Sequence, residues 1–292
     1  MYTIKEMYYL IVPIVFVWIM CNCLSDKYLN KIIDVFFYAS TISFCINFYE
    51  SFSINAFIDT LKSFSFTGIS SAFESGLADK YALLLVYYLY KKDKLKIFVC
   101  AFLGILSSKR QATLFIILIL IIYRFIPKNK PVNKMIYIIT ISFFVVLPIF
   151  INFATTDIFG DWFYDTFSIS ISEFSMTRVD IINIVKEANL TNYGLGTTTN
   201  FLEERNIFEQ TNMHSDLLRL YMECTIIGVF LYVMYYFKIC KNNYISFILM
   251  IYFFFGLTIN HLIGPGSISI LILLFYVILY FNKELNVERI EN

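Results

Sequence analysis

The sequence predicts an all-α, polytopic membrane protein, and three observations support this prediction. Of the 292 residues, 59% are hydrophobic and only 15% are charged, whereas a soluble domain carries about 25% charged residues. Long apolar runs alternate with short polar breaks, and a transmembrane helix needs about 20 mostly apolar residues. The charge balance, 23 Lys and Arg against 22 Asp and Glu, provides no basic surface for a polyanion. The composition therefore excludes a soluble enzyme, a disordered chain and a nucleic-acid-binding protein.

The apolar runs predict about nine transmembrane helices in a single integral membrane domain over residues 1–292. The first run resembles a signal peptide in length, but it lacks a small-x-small cleavage site and a second span follows at once. We therefore expect it to be retained. The predicted spans are 8–24, 32–49, 72–90, 94–108, 110–126, 134–153, 217–237, 244–260 and 266–281.

The stretch 95–126 is apolar except for a polar patch that includes Lys109 and Arg110, so it forms either one over-long helix or a helical hairpin. The distribution of Lys and Arg decides between the two, because short cytoplasmic loops collect positive charge. With the hairpin, fourteen of the 23 basic residues fall on one side, and with a single helix the two sides are nearly equal. The hairpin is therefore predicted, with the amino terminus outside and the carboxyl terminus in the cytoplasm.

The long loop 154–216 is predicted to face outward and to carry an amphipathic helix. Between Met176 and Leu190, apolar residues recur at a helical period and polar residues lie between them. Ser175 or Thr177 is expected to cap this helix. A segment of this kind is expected to lie in the plane of the membrane interface.

Two arginines are placed where an anion is needed. Arg110 lies at the hairpin tip, at or below the lipid headgroups, where a guanidinium requires an anionic partner. That partner is either an ordinary lipid phosphate or the phosphates of a lipid-linked substrate. Arg178 falls in the first turn of the loop helix, where the helix dipole disfavours a cation unless an anion is also present. Pairing with Asp180 or Glu173 is the alternative.

His214 stands at the outer end of the predicted seventh span, and an imidazole titrates near neutral pH, as a general base requires. A lone histidine at a helix start is also commonly an interfacial or hydrogen-bonding residue. His261, in the short loop before Gly264, could serve as the base instead. Arg219 and Glu223, four residues apart on the seventh span, are expected to pair with each other.

No metal and no cofactor are expected. The sequence contains no HExxH, no G-x-S-x-G and no P-loop motif. Asp157, Asp161 and Asp165 recur every four residues without an accompanying histidine, which favours a solvated helix face over a metal site. The six cysteines lie in or beside apolar runs and indicate no disulfide framework.

Four short motifs follow one another over about residues 100–240. They are Ser108-Lys-Arg-Gln, Thr177-Arg, Gly194-Leu-Gly and His214-Ser-Asp-x-Leu-x-x-x-x-Glu-x-x-x-x-Gly228. Together and in this order they resemble the O-antigen polymerase/ligase family (Wzy and WaaL type). Three positions depart from the residues common in the family, which are glycine at 111, asparagine at 215 and glycine at 225, where this chain has Gln111, Ser215 and Thr225.

The resemblance implies a polysaccharide polymerase of O-antigen (lipopolysaccharide) or capsule biosynthesis. Such an enzyme transfers a glycan from undecaprenyl diphosphate to a sugar hydroxyl of another lipid-linked repeat unit, without a metal ion. Arg110 and Arg178 would hold the diphosphate, and His214 would take the proton of the attacking hydroxyl. The implied substrate-binding residues are Lys109, Gly194, Gly196, Arg205 and Arg219.

The resemblance also implies a bacterial inner (cytoplasmic) membrane protein whose active site faces outward. Its partners would be the undecaprenyl-diphosphate-linked oligosaccharide, the lipid bilayer, a chain-length regulator and a flippase, with no nucleic acid. Three alternatives stay open: a ligase that moves the finished glycan to a lipid or protein acceptor, a transporter of the same lipid, and an accessory assembly subunit. A transporter would need broken helices and charges near the membrane midplane.

Overall fold

The computed structural model describes residues 2–51, 77–107, 109–127, 130–175, 178–190, 194–205 and 213–291, and within these ranges all regular structure is helical. Two compact units are formed, one by Met1–Val15 with Lys130–Leu271 and the other by Phe16–Asn129 with Ile272–Asn292. The helices are α1 Tyr2–Cys23, α2 Asp26–Ser51, α3 Leu77–Lys91, α4 Lys94–Leu106, α5 Arg110–Ile122, α6 Lys134–Ala154, α7 Asp157–Phe167, α8 Ile171–Ser175, α9 Arg178–Glu187, α10 Thr197–Arg205, α11 Asp216–Cys240, α12 Tyr244–Ile259 and α13 Ile268–Glu291.

Within the part of the chain that the structure describes, four helices are long and apolar enough to cross a membrane: Ile4–Cys23, Asp26–Tyr49, Lys134–Ala154 and Asp216–Cys240. The all-helical class is therefore confirmed, together with apolar helices of membrane-spanning length. Every predicted span coincides with a helix over its described residues, but α4 and α5 have only 13 residues each. At about 1.5 Å per residue such a helix extends about 20 Å, less than a hydrocarbon core of about 30 Å. The number of spans, nine, stays a prediction.

In the second unit, α4 and α5 form a hairpin rather than one continuous helix. Lys109 Nζ lies 2.5 Å from Asp79 Oδ2, which joins the start of α5 to the start of α3. Lys96, at the start of α4, binds Asp34 of α2 instead, with Nζ 2.6 Å from Oδ1. Gly104 of α4 packs against Ile116 of α5 so closely that a Cβ at position 104 would collide with the Ile116 side chain.

Basic residues that decided the predicted sidedness lie at one end of this unit. Lys91, at the end of α3, donates to the Tyr280 hydroxyl of α13. Lys283 Nζ lies 2.9 Å from Asp26 Oδ1, at the start of α2. Residues 280–283 of α13 therefore contact the end of α3 and the start of α2, and the predicted sidedness stays a prediction.

In the first unit, α6, α11 and α12 pack around an aromatic core. Phe144 of α6 stacks on Phe237 of α11 with ring centroids 5.8 Å apart, and Phe237 stacks on Phe254 of α12 at 5.1 Å. At the start of α6, the Asn133 N–H donates to the Tyr244 hydroxyl at 2.9 Å. The opposite end of these helices is where the segment 154–216 begins and ends.

That segment contains α7, α8, α9 and α10, and α9 is the predicted amphipathic helix. Its apolar side packs against protein, because Ile181, Ile182 and Val185 are buried in a cluster with Leu202 and Leu218. This corrects the expectation that the helix rests on the membrane interface. The start of α9 is capped as predicted by Ser175, whose Oγ accepts the Val179 N–H at 3.3 Å. Thr177, the other predicted cap, lies outside the described residues.

Helix α7 leaves part of its apolar surface uncovered. Asp157, Asp161 and Asp165 are exposed along one face, as a solvated helix face requires. Ile158 and Trp162, on the other face, are also exposed. Among the described residues, no group of three or more His, Cys, Asp and Glu is placed to hold a metal ion.

Candidate functional site

Charged and titratable side chains of the first unit gather at the N-terminal end of α11. His214 immediately precedes this helix, and His261 follows the end of α12. Arg178, the first residue of α9, reaches the same region, and its Nη1 donates to the Ile259 carbonyl oxygen at 2.7 Å. Three separate segments of the chain therefore bring Arg178 and both histidines towards one end of α11.

Asp216, the first residue of α11, holds His261 in place. Its Oδ1 lies 2.8 Å from His261 Nδ1, while its Oδ2 accepts the N–H groups of Leu262 and Ile263 at 2.6 and 2.8 Å. Because a carboxylate accepts a hydrogen bond, Nδ1 carries a proton, and in the neutral imidazole Nε2 is then the unprotonated nitrogen. An aspartate that fixes the tautomer and the ring orientation of a histidine is an arrangement suited to proton transfer.

Arg219 lies behind this pair, in a buried ionic cluster. Its Nη1 is 2.9 Å from Glu6 Oε1 and its Nη2 is 3.3 Å from Asp216 Oδ1. Nη1 also donates to Thr199 Oγ1 at 2.9 Å. Arg219 and Asp216 are 1% exposed and Glu6 is 3% exposed. Arg219 was predicted to bind substrate; its guanidinium is paired with carboxylates inside the protein, and a role in substrate binding stays a prediction.

Glu223, which was expected to pair with Arg219, makes its hydrogen bonds to other residues. It accepts hydrogen bonds from the N–H groups of Gly196 and Thr198 at 2.8 and 2.9 Å and from the Thr198 hydroxyl. The expectation that Glu223 forms the main ion pair of Arg219 is therefore wrong. The carboxylate is buried with its oxygens directed at the start of α10, where backbone N–H groups favour an anion.

The two glycines before α10 shape this turn. Gly194 has φ +98° and Gly196 has φ +85°, conformations that favour glycine. Both were predicted to bind substrate. The Gly196 N–H is committed to Glu223, so this glycine holds the turn and does not present its amide to a ligand.

His214 is half-buried and has φ +34°. Burial lowers the pKa of its imidazole below the ordinary 6.5, and the charges of Arg178 and His261 lower it further, while Asp216 acts in the opposite direction. The imidazole is therefore neutral at physiological pH. His214, the base predicted from the sequence, therefore lies close to Arg178 and His261, which are distant from it along the chain.

Arg110 and Lys109 belong to the second unit. Lys109 was predicted to bind substrate, but its ammonium is paired with the buried carboxylate of Asp79, which accounts for the charge within the protein. Arg110 is the half-buried first residue of α5. Its convergence with the residues at the start of α11 stays a prediction.

Arg205, the last predicted substrate-binding residue, is exposed at the end of α10. Its guanidinium lies over the Phe201 ring at 5.0 Å from the centroid. This is an ordinary cation–π contact within one helix turn.

Sequence reasoning missed Glu6, and it missed Asp216 as the partner of a histidine. Glu6 had a usable signal, because an acid within an otherwise apolar helix demands a buried partner. Asp216 was noticed only as part of the His-Ser-Asp motif. Nothing local in the sequence shows that it faces a residue 45 positions later.

Helix α11 is interrupted at Thr225, which has φ +63° and ψ 177°. A β-branched residue is strained in this region of backbone space, which glycine occupies readily. This position therefore has a backbone conformation that suits glycine, although the residue is a threonine.

Comparison of this chain with protein-family models, with curated proteins and with solved structures finds no match.

Proposed function

We propose that this protein is a membrane glycosyltransferase, a polysaccharide polymerase that extends a lipid-linked glycan. The observation that carries the proposal is the gathering of Arg178, His214 and His261 at the N-terminal end of α11, with Asp216 holding one of the imidazoles. A cation for a diphosphate and a proton acceptor for a hydroxyl are the two groups that such a transfer needs. The sequence resemblance points to two of these residues, Arg178 and His214.

In the proposed reaction, Arg178 holds the diphosphate of a polyprenyl carrier, and Arg110 is the second diphosphate ligand that the resemblance implies. Charge-assisted hydrogen bonds contribute about 1.5–3 kcal/mol each, and they strengthen as negative charge develops on the leaving diphosphate. The acceptor sugar hydroxyl attacks the anomeric carbon from the opposite face, and a histidine takes its proton, which the sequence assigns to His214. A positioned base is worth about 10²–10⁴ in rate. The arginines take the place of a divalent cation at the leaving group.

The proposed location is the bacterial inner membrane, with this site on the outer face and the glycan bound beside the segment 154–216. The amino terminus would be outside and the carboxyl terminus in the cytoplasm. A flippase would deliver the lipid-linked repeat units, and a chain-length regulator would act on the growing polymer.

The test is genetic complementation with the variants Arg110→Ala, Arg178→Ala and His214→Ala, read as glycan length on a gel. Each variant should insert into the membrane and leave single capped repeat units. Arg124→Ala is the matched control, because this arginine is exposed at the opposite end of α5 and its side chain lies outside the proposed site. Chains of wild-type length in all three site variants would refute the proposal.

A ligase would use the same chemistry but a different acceptor. Deletion of a ligase leaves finished polymer on its lipid carrier, whereas deletion of a polymerase leaves single repeats. The two activities are therefore separated by analysing the lipid-linked glycans of a deletion strain.

A transporter of the same lipid is the second candidate, because α11 is broken at Thr225 near the buried charges of Arg219 and Glu223. Broken helices beside buried charges are typical of transporter sites. Purified protein in liposomes with a radiolabelled lipid-linked repeat unit distinguishes the candidates. A polymerase lengthens the glycan, a transporter moves the lipid across the bilayer without lengthening it, and an accessory subunit does neither.

A further inference from the structure

The histidine that a carboxylate anchors at this site is His261, not the histidine that the sequence favours. Its Nδ1 is bound to Asp216 Oδ1 at 2.8 Å, and its side chain keeps 16% of its surface exposed. Among the described residues, Nε2 makes no hydrogen bond. The ring thus has one nitrogen anchored inside the protein and one nitrogen available.

We propose that His261, oriented by Asp216, is the catalytic proton acceptor of the glycan transfer, with Nε2 as the atom that receives the proton. This inference rests on the proposed function and names the base for it. Asp216 is the positioning residue.

The carboxylate of Asp216 cannot turn away from the imidazole. Its second oxygen accepts two backbone N–H groups, from Leu262 and Ile263, and Arg219 lies 3.3 Å from the first oxygen. The two amides belong to the residues that directly follow His261. The same carboxylate therefore fixes both the loop and the ring that the loop carries.

Gly264 keeps Nε2 accessible. A Cβ at this position would lie 2.6 Å from Nε2 and 3.2 Å from Cδ2, closer than non-bonded atoms approach. The φ of Gly264 is −177°, an extended conformation that any residue adopts. The backbone does not require glycine here, so the close approach to the imidazole is the physical reason for it.

His214 is the weaker candidate because its surroundings oppose a positive charge. Burial and the neighbouring charges of Arg178 and His261 lower its pKa. His261 faces a carboxylate, and the described charged groups around the pair include Arg219 on α11, Glu6 on α1 and Arg178 on α9. We assign His214 to hydrogen bonding with the substrate as a neutral imidazole.

The step balances without a further reactant. The acceptor hydroxyl oxygen forms a bond to the anomeric carbon, and the bond from that carbon to the diphosphate oxygen breaks. The bonding electron pair leaves with the diphosphate, whose charge the arginines stabilise. The hydroxyl proton moves to His261 Nε2, and the imidazolium then releases it to water.

The experiment measures transfer by the purified full-length protein, with a radiolabelled lipid-linked repeat unit as donor and acceptor, across a pH range. His261→Ala should lower the rate by about 10²–10⁴-fold, and added imidazole should restore part of it. The acid limb of the pH–rate profile should disappear in this variant, an effect that a merely structural role would not produce.

Gly264→Ala should also lower the rate at least tenfold, because its methyl group would lie 2.6 Å from Nε2 and would force the imidazole out of its position. Gly266→Ala is the matched control, since a Cβ there meets no atom within 4 Å, and it should retain wild-type activity. The glycine pair keeps the test decisive if His261→Ala does not fold.

If the wild type is active, any of three results would overturn the inference. The first is full activity of His261→Ala, and the second is a loss of activity in His261→Ala that imidazole does not restore and that leaves the pH–rate profile unchanged. The third is an equal rate for Gly264→Ala and Gly266→Ala. Absence of transfer by the wild-type protein would instead overturn the proposed function.

Discussion

Removal of the Glu6 carboxylate should destabilise the first unit by about 1.5–3 kcal/mol, the range for a hydrogen bond to a charged group. Glu6 and Arg219 are 3% and 1% exposed and their charged atoms are 2.9 Å apart. In Glu6→Gln the guanidinium keeps Asp216 at 3.3 Å, so the loss is partial. Arg219→Leu should cost more, about 3–5 kcal/mol, because it leaves the buried carboxylates without a cation.

The assay is thermal unfolding in detergent, and the neighbouring residue supplies the control. Lys5 pairs with Glu203 at 3.7 Å, but these side chains are 45% and 28% exposed. An exposed pair is worth about 0–1 kcal/mol, so Lys5→Gln should change the unfolding temperature little. Equal shifts for Glu6→Gln and Lys5→Gln would refute the reasoning that burial gives the first pair its strength.

Three further predictions concern the backbone, the pH response and the membrane contact. Thr225→Gly should raise the unfolding temperature, because it relieves about 1–3 kcal/mol of backbone strain. The greater freedom of the unfolded chain opposes this gain by up to about 1 kcal/mol. Thr225→Ala leaves an L-residue at φ +63° and should show no such gain. The lowered pKa of His214 means that its contribution to stability is complete above its ordinary pKa of 6.5 and is lost as the pH falls towards the lower folded value. From about pH 8 to about pH 5, the unfolding temperature of His214→Gln should therefore fall less than that of the wild type, and that of Arg178→Gln should fall by an intermediate amount. The same pH dependence in the wild type and both variants would contradict the assignment. In a Trp18→Phe protein, Trp162 is the remaining tryptophan, and brominated phospholipids should quench its fluorescence. The reason is that the exposed apolar residues of α7 are expected to lie in the membrane interface. Strong quenching by acrylamide without quenching by bromolipid would show that Trp162 faces water.

The helices were largely predictable because their signals are local. The run 134–153 corresponds to Lys134–Ala154, which begins after Asn133, whose side chain accepts the Met135 N–H as a helix cap does. The hairpin at Lys109 was predicted from the distribution of basic residues, and the structure places this residue on Asp79. Apolar transfer energies and capping preferences act on neighbouring residues, so the sequence displays them directly.

The contacts at the candidate site were not predictable in the same way. Arg219 appeared to have a partner in Glu223 one turn away, but Glu6, more than two hundred positions earlier, binds it more closely. The periodicity of α9 indicated an apolar side correctly, but not whether lipid or protein covers it. Both questions depend on which helices become neighbours.

The amino-acid sequence by itself determined that this chain is helical, apolar enough for a membrane, and supplied with a few charged residues at helix ends. Only the tertiary structure decided that Asp216 anchors His261, that Arg219 is enclosed by carboxylates, and that Gly264 lies against the imidazole. Hydropathy and helical period are set by residues within a few turns of each other. Ion pairs and access to a ring nitrogen are set by packing between segments that the chain keeps far apart.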